Sequence, residues 1–313
     1  MDLIERVLPH PSNDEMQAGL RQGLGHLAHL GIGWAQEAAA NPADGATYLA
    51  GARAGSLPIR VNIAWRAEPG VWASRFERFS EIRDEIDAEP ACLDRLTDAV
   101  VTADAAGFQI HVHAIGDGGV RAALDAIEVA ATRNGSRDRR PVIAHTQLVD
   151  PADRARFADL GVIANFEPLW AQLDEVMVDL TIPRLGPSRS ALQYPIATLA
   201  QLGAPVSFGS DWPVSSADPL AGLAVAVTRQ TPEGVPGGGW LPEERVPVLD
   251  AVRAYTLGSA HQAFDEADRG TLSVGARADL TLVDQDITAV AGSEVADATA
   301  EGLWLAGEEV WRR

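Results

Sequence analysis

The sequence predicts an α/β protein, a (β/α)8 TIM-barrel-like fold that falls short of eight strands, on three observations. Short apolar runs alternate with helical stretches, the pattern of βα units around a parallel sheet. Three of the runs, HVHAIGD at 111–117, VIAHT at 142–146 and SFGSDWP at 207–213, end in metal-capable side chains: His113, His145 and Asp211. The 313 residues have room for one barrel of ~250 residues and a small appendage.

Taken in order, the elements begin with a helix from Asn13 to Leu30, capped by Ser12 or Asn13 and stopped at Gly31. Strands are expected at 31–35, 58–65, 108–114, 141–145, 161–166 and 204–209. Helices are expected between them at 91–106, 118–133, 151–160, 193–202, 217–229 and 248–263. Asp150-Pro151 and Asp218-Pro219 read as helix starts. The Gly- and Pro-rich stretch at 231–247 reads as a mobile loop. Beyond it, GTLSVGARADLTLVDQD and EGLWLAGEEVWRR alternate like exposed strands, with a turn at Ala306-Gly307-Glu308. The expected division is a partial barrel over 1–265 and a small β-sandwich segment over 266–313. Six strands are visible where closure needs eight. The open edge would present unpaired backbone groups, through which copies of this chain would pair as a homo-oligomer.

Composition narrows the function. The formal charge is −19, and all 25 basic residues are arginine. Such a charge repels phosphate backbones and anionic lipid, which argues against nucleic-acid and membrane partners. Cys92 is the single cysteine, so no disulfide framework or thiolate cluster is available; its helical context suggests a small core residue. The start, MDLIERVLPHPSNDEM, lacks the apolar core of a signal peptide. No stretch approaches the ~20 apolar residues of a membrane span. The expected location is cytoplasmic.

A divalent ion lowers the pKa of bound water to about 7, so that hydroxide forms at neutral pH. Two neutral imidazoles and a carboxylate suit zinc or a similar ion. His113, His145 and Asp211 stand at the C-terminal ends of expected strands, where α/β barrels keep their chemistry. Asp211 could also accept the proton of the attacking water. His111 lies two residues before His113 and faces the same side of a strand, which makes it a further candidate ligand. Glu167, Trp170 and Trp212 follow strand ends and could line the pocket for a small-molecule substrate. Each residue also has an ordinary alternative: a hydrogen-bonded core histidine, a helix cap at Asp211, or aromatic packing. Asp117 either caps the next helix or orients His113. GDGG at 116–119 reads as a tight turn rather than a phosphate cradle. His26 and His29 are i, i+3 near a helix C-terminus, a structural placement. With no GxSxG motif, a serine hydrolase is disfavoured.

Four stretches, HVHAIGDGGVRAALDAIE, RPVIAHTQLVDPADRARFADLGVIANFEPLW, YPIATLAQLGAPVSFGSDWPVSSADPLAGLAVAVTR and GTLSVGARADLTLVDQD, resemble the amidohydrolase superfamily. The similar branch is the one containing N-substituted formamide deformylase-like enzymes. The resemblance implies a (β/α)8 barrel with one or two metals, usually zinc, and a β-sandwich built from both chain ends. It implies hydrolysis of amide-type, non-peptide C–N bonds of small molecules. By resemblance His113 and His145 are metal ligands, and Asp211 is ligand and general base. The chain departs from that pattern. The family's HxH pair on the first strand is absent, and a carboxylated lysine is impossible without lysine. The stretch from Glu68 to Pro90 is short, as if a segment were deleted. The chain therefore reads as truncated and internally shortened, with one bound ion at most. The alternative is a catalytically impaired homologue or a partner-binding fragment.

Overall fold

A computed structural model describes residues 11–66, 89–91 and 96–313. The expectations for Cys92 and for most of the stretch from Glu68 to Pro90 fall outside them. Helix α1 (Asn13–His29) starts in a capping box, with the Ser12 hydroxyl accepting from the Glu15 amide and the Glu15 carboxylate accepting from the Ser12 amide. It ends at Leu30, and Gly31 takes the left-handed conformation that stops a helix at little steric cost. Strand β1 (Trp34–Ala40), helix α2 (Pro42–Arg53), strand β2 (Arg60–Arg66) and the short strand β3 (Glu89–Ala91) follow. Helix α3 (Leu96–Ala105) leads to β4 (His111–Ala114), α4 (Asp117–Asn134), β5 (Val142–His145), α5 (Arg154–Asp159) and β6 (Ile163–Phe166). Then come α6 (Ile182–Ser190), α7 (Ile196–Gln201), β7 (Val206–Phe208), α8 (Pro219–Thr228), α9 (Val248–Arg253) and α10 (Ser259–Gln262).

Seven parallel strands are present among the described residues, in the sheets β1-β2-β3 and β4-β5-β6-β7. Strand β3 lies beside β4, so the two sheets form one arc, open between β7 and β1. Five of the six expected strands stand where expected, and the first, expected at 31–35, runs later, over Trp34–Ala40. The seventh, β3, corrects the count of six and lies where a deletion was inferred; three residues are too few for a periodicity to register. Helix α2 was also missed. Asn41 caps it, with its side chain accepting from Ala43 and Asp44, but its alanine- and glycine-rich sequence has little apolar periodicity.

The main core lies between β4–β7 and the helices outside them, with Leu124, Ile127, Ile143, Phe157 and Phe166 fully buried. A second cluster joins Leu24 and Leu27 of α1 to Ile59 and to Leu303 of the C-terminal sheet. That sheet is antiparallel, ordered β10 (Glu308–Arg312), β9 (Ala300–Leu305), β8 (Leu280–Val283). Among the described residues it is one layer, where a two-layered sandwich segment was expected. The 231–247 loop is tied down rather than loose. Trp240 donates its amide to the Arg229 carbonyl, the Arg229 guanidinium packs 5.3 Å from the Trp240 ring, and Glu244 is buried against Thr198. Among the described residues no helix is long and apolar enough to cross a membrane.

Candidate active site

Strands β5 and β6 are buried along their whole length, as parallel strands between two layers must be. The alternation of side chains along such strands leaves their C-terminal residues facing the barrel mouth. His145 ends β5, Glu167 follows β6, and Asp211 lies three residues beyond β7. His145, Thr146 and Asp211 all take positive φ, at 73°, 44° and 52°. Side-chain-bearing residues seldom adopt that region, and such conformations cluster where strained backbone aims functional groups.

The centre of the site is an imidazole pair. The Nε2 of His145 lies 2.8 Å from the Nδ1 of His113, with the ring planes 73° apart. On the other side of His145, Nδ1 donates to the Glu167 Oε2 at 2.7 Å. Trp170 stacks on the same imidazole, centroids 5.3 Å apart and planes within 11°. Glu167 and Trp170 therefore fix the His145 ring and leave its Nε2 aimed at His113. A carboxylate behind a histidine is the usual support for a metal-binding imidazole.

The electrostatics follow from burial and charge. Burial opposes the His145 cation, but the Glu167 carboxylate outweighs it and holds that imidazole above its ordinary pKa. Burial pushes the Glu167 carboxyl up against the opposing pull of His145. Burial and the neighbouring His145 lower His113. His111, buried and flanked by both other histidines, is lowered to about 4. His111 and His113 are therefore neutral near pH 7, the form in which imidazole binds metal.

Asp211 lines the same cleft as His113 and His145, and its charge is felt by both rings. Even so, among the described residues no three metal-capable side chains come close enough to hold an ion together. The structure thus brings two of the three expected ligands into contact, and the third lines the same cleft without joining them. The donor chemistry still fits a divalent ion: two converging ring nitrogens, one held by a buried carboxylate, with a free carboxylate facing the same space. His111 does not join the pair, because its Nδ1 faces the Gln36 amide at 3.3 Å. Asp211 caps no helix, since α8 starts later, at Pro219, with Asp218 as its cap.

The expected substrate-lining residues separate. Glu167 is buried behind His145, although it touches the cleft wall. Trp170 backs His145 and does not line the cleft. Trp212 does line it, 42% exposed, over Gly23 and 5.8 Å from the His26 ring. Asp117 accepts from the Gly118 amide and from Arg189, and does not orient His113. Sequence reasoning missed one polar chain, in which Asn165 donates to Ser207, Ser207 to Gln262, Gln262 to Gln36, and Gln36 faces His111. It spans the open side of the barrel from β7 to β1. Its visible signal was Asn165 and Ser207 inside otherwise apolar strands.

The cleft has a volume of about 1630 Å³ and runs from the histidine pair down between β7 and β1. Residues 1–311 match the Amidohydrolase family. Over 209 residues the chain is 33% identical to "Protein LONG AFTER FAR-RED 3" of Arabidopsis thaliana, covering 66% of this chain and 35% of that protein. It is 33% identical over 184 residues to "Putative amidohydrolase YtcJ" of Bacillus subtilis, covering 59% of this chain and 34% of that one. It is 27% identical over 194 residues to "N-substituted formamide deformylase" of Arthrobacter pascens, 60% and 34% of the two chains. The chain thus spans about a third of the length of these relatives. Among solved structures, an uncharacterized metal-dependent hydrolase from Pyrococcus horikoshii is similar with a TM-score of 0.72 and 21% identity, over 93% of this chain and 63% of that one. Another from Pyrococcus furiosus gives 0.67 and 22%, over 88% and 60%.

Proposed function

This chain belongs to the amidohydrolase family, and from that premise we propose that it hydrolyses an amide-type, non-peptide C–N bond of a small molecule with metal-activated water. The observation that carries the reading is the His113–His145 pair with Glu167 behind it. His113 and His145 would hold the ion, zinc by donor preference, and Asp211, which lines the same cleft, would complete the set. The ion would supply hydroxide at neutral pH and polarise the carbonyl. The protein's own parts divide as follows. Glu167 fixes the tautomer of His145, Trp170 fixes its plane, and Asp211 accepts a proton from the water. Trp212 packs beside the substrate. The N-substituted formamides named for the Arthrobacter relative are the first substrate class to try.

One observation favours a second reading, a homologue that binds metal without turning over substrate: among the described residues no three ligands meet. One experiment separates the two. Formate and amine release from N-substituted formamides is measured with zinc-loaded, chelator-treated and His145→Ala protein. Release that requires zinc and His145 supports hydrolysis. Zinc binding without release supports the second reading, and release unaffected by the chelator rejects both.

A further inference from the structure

The register between β4 and β5 sets a problem that the backbone has to solve. His113 lies opposite Ala144, and Ala114 lies opposite His145. Partners across a ladder share a face, and the next residue along each strand takes the other face. A pleat continued through His145 would therefore put its imidazole on the side of Ala114, away from His113. Its Nε2 instead lies 2.8 Å from the His113 Nδ1. The pleat breaks at this point, where His145 and Thr146 take φ of 73° and 44° in succession. That left-handed turn brings the ring back to His113.

Thr146 is a poor residue for such a turn. In left-handed backbone Cβ crowds the following carbonyl, and β-branching makes the conformation rarer still. A β-branched residue favours extended backbone, which would restore the pleat and swing His145 away. What opposes that return is the Thr146 hydroxyl, which is fully buried and donates to the Ile143 carbonyl at 2.7 Å, back across His145. The chain leaving the turn is latched by backbone alone. The Tyr194 amide donates to the Gln147 carbonyl at 2.6 Å, and the Leu148 amide to the Ile115 carbonyl at 3.0 Å. Both latches act beyond Thr146 and leave its own φ to the hydroxyl. We propose that Thr146 is a positioning residue for His145: its bond to Ile143 locks the left-handed turn that aims the imidazole at His113. This role rests on the reading of His113 and His145 as metal ligands.

The test sets conformation against volume at one position of the full chain. Thr146→Val keeps the size and the branching and removes the hydroxyl. Thr146→Gly removes the whole side chain but takes left-handed φ at no steric cost. Thr146→Ser keeps the hydroxyl, and Thr146→Ala removes it while retaining Cβ. Two quantities are read: in metal-free protein, the NMR signal of the His145 Nδ1 proton held by Glu167, and then the zinc dissociation constant. Ser and Gly should keep the proton signal and the zinc affinity of the parent chain. Val should lose the signal and bind zinc about tenfold more weakly or worse, and Ala should bind more weakly than Gly. A side chain that only fills space gives the reverse order, with Val harmless and Gly worst. That order, or four variants alike, would overturn the proposal. Should Val fail to fold, the comparison of Gly with Ala decides. Should the parent chain bind no zinc, the metal reading fails, and the metal-free proton signal still decides the role of Thr146.

Discussion

The two halves of the arc are built on opposite principles. In β4–β7 the strands are short and enclosed, with β5 and β6 buried throughout, and the site residues follow their C-terminal ends. In β1–β2 the strands are longer and half exposed, and they run out in Ala38-Ala39-Ala40 and Arg66 with no metal-capable group at the tip. One half therefore has the rigidity to hold a site, and the other has an edge and a cleft. The polar chain from Asn165 to His111 is the seam between them. Rigidity and chemistry coincide here because a ligand is only as well placed as the strand beneath it.

That contrast can be broken by core truncation, where the largest effect is expected. Phe166, fully buried at the end of β6, should cost about 3–5 kcal/mol as Phe166→Ala. Val61 on β2 is only partly buried, and Val61→Ala should cost about 1 kcal/mol. Urea unfolding of both variants checks the ratio, and equal losses would erase the distinction between the halves.

Next in size is Asp104, whose side chain is buried on α3 and accepts from Arg137, Arg139 and Asn134. Burial alone would raise its pKa, but those hydrogen bonds outweigh it and hold the carboxyl below the ordinary value. A depressed folded-state pKa adds stability that is complete above the unfolded value, ~3.9. That stability is lost as pH falls through the folded value. Asp104→Asn should cost about 3 kcal/mol at pH 7, because it leaves the half-buried Arg137 and Arg139 without their buried carboxylate. The cost should shrink below about pH 4. A penalty constant from pH 7 to 3 would show that the ion cluster contributes nothing through charge.

The sequence showed much of this arrangement and missed the rest for identifiable reasons. Six strands and the α1 cap were readable because apolar runs with Gly, Pro and Ser boundaries follow from backbone sterics. His113, His145 and Asp211 stood out because each ends such a run. What could not be read was side-chain direction. Glu167 and Trp170 appeared equivalent to Trp212 as residues after strand ends, yet those two pack against His145 and Trp212 stands apart, beside His26. Strand β3 is three residues long, and Gln36 sits in a strand whose pattern is ordinary. Their roles come from contacts hundreds of residues apart in some cases, as between Gln36 and Gln262.

Two smaller effects sharpen the comparison. Glu167→Gln keeps the size of the side chain but removes the charge behind His145. Zinc affinity should fall about 10–100-fold with little change in folding stability. Isothermal titration against urea unfolding would show the split, and a variant that loses stability and keeps affinity would make Glu167 a core residue only. On the other half, Ser12→Ala removes the cap of α1 and should cost about 1 kcal/mol. The zinc isotherm should stay the same. A weaker isotherm in Ser12→Ala would mean that α1 and the histidine pair are coupled.

The most direct measurement is a zinc titration of the full chain alongside His145→Ala, His113→Ala and Asp211→Ala, with bound metal counted after desalting. A single site of about one equivalent is predicted, abolished by either histidine substitution and weakened by the aspartate one. Two tightly held ions per chain, or an isotherm that survives loss of both imidazoles, would contradict a metal centre built on this pair.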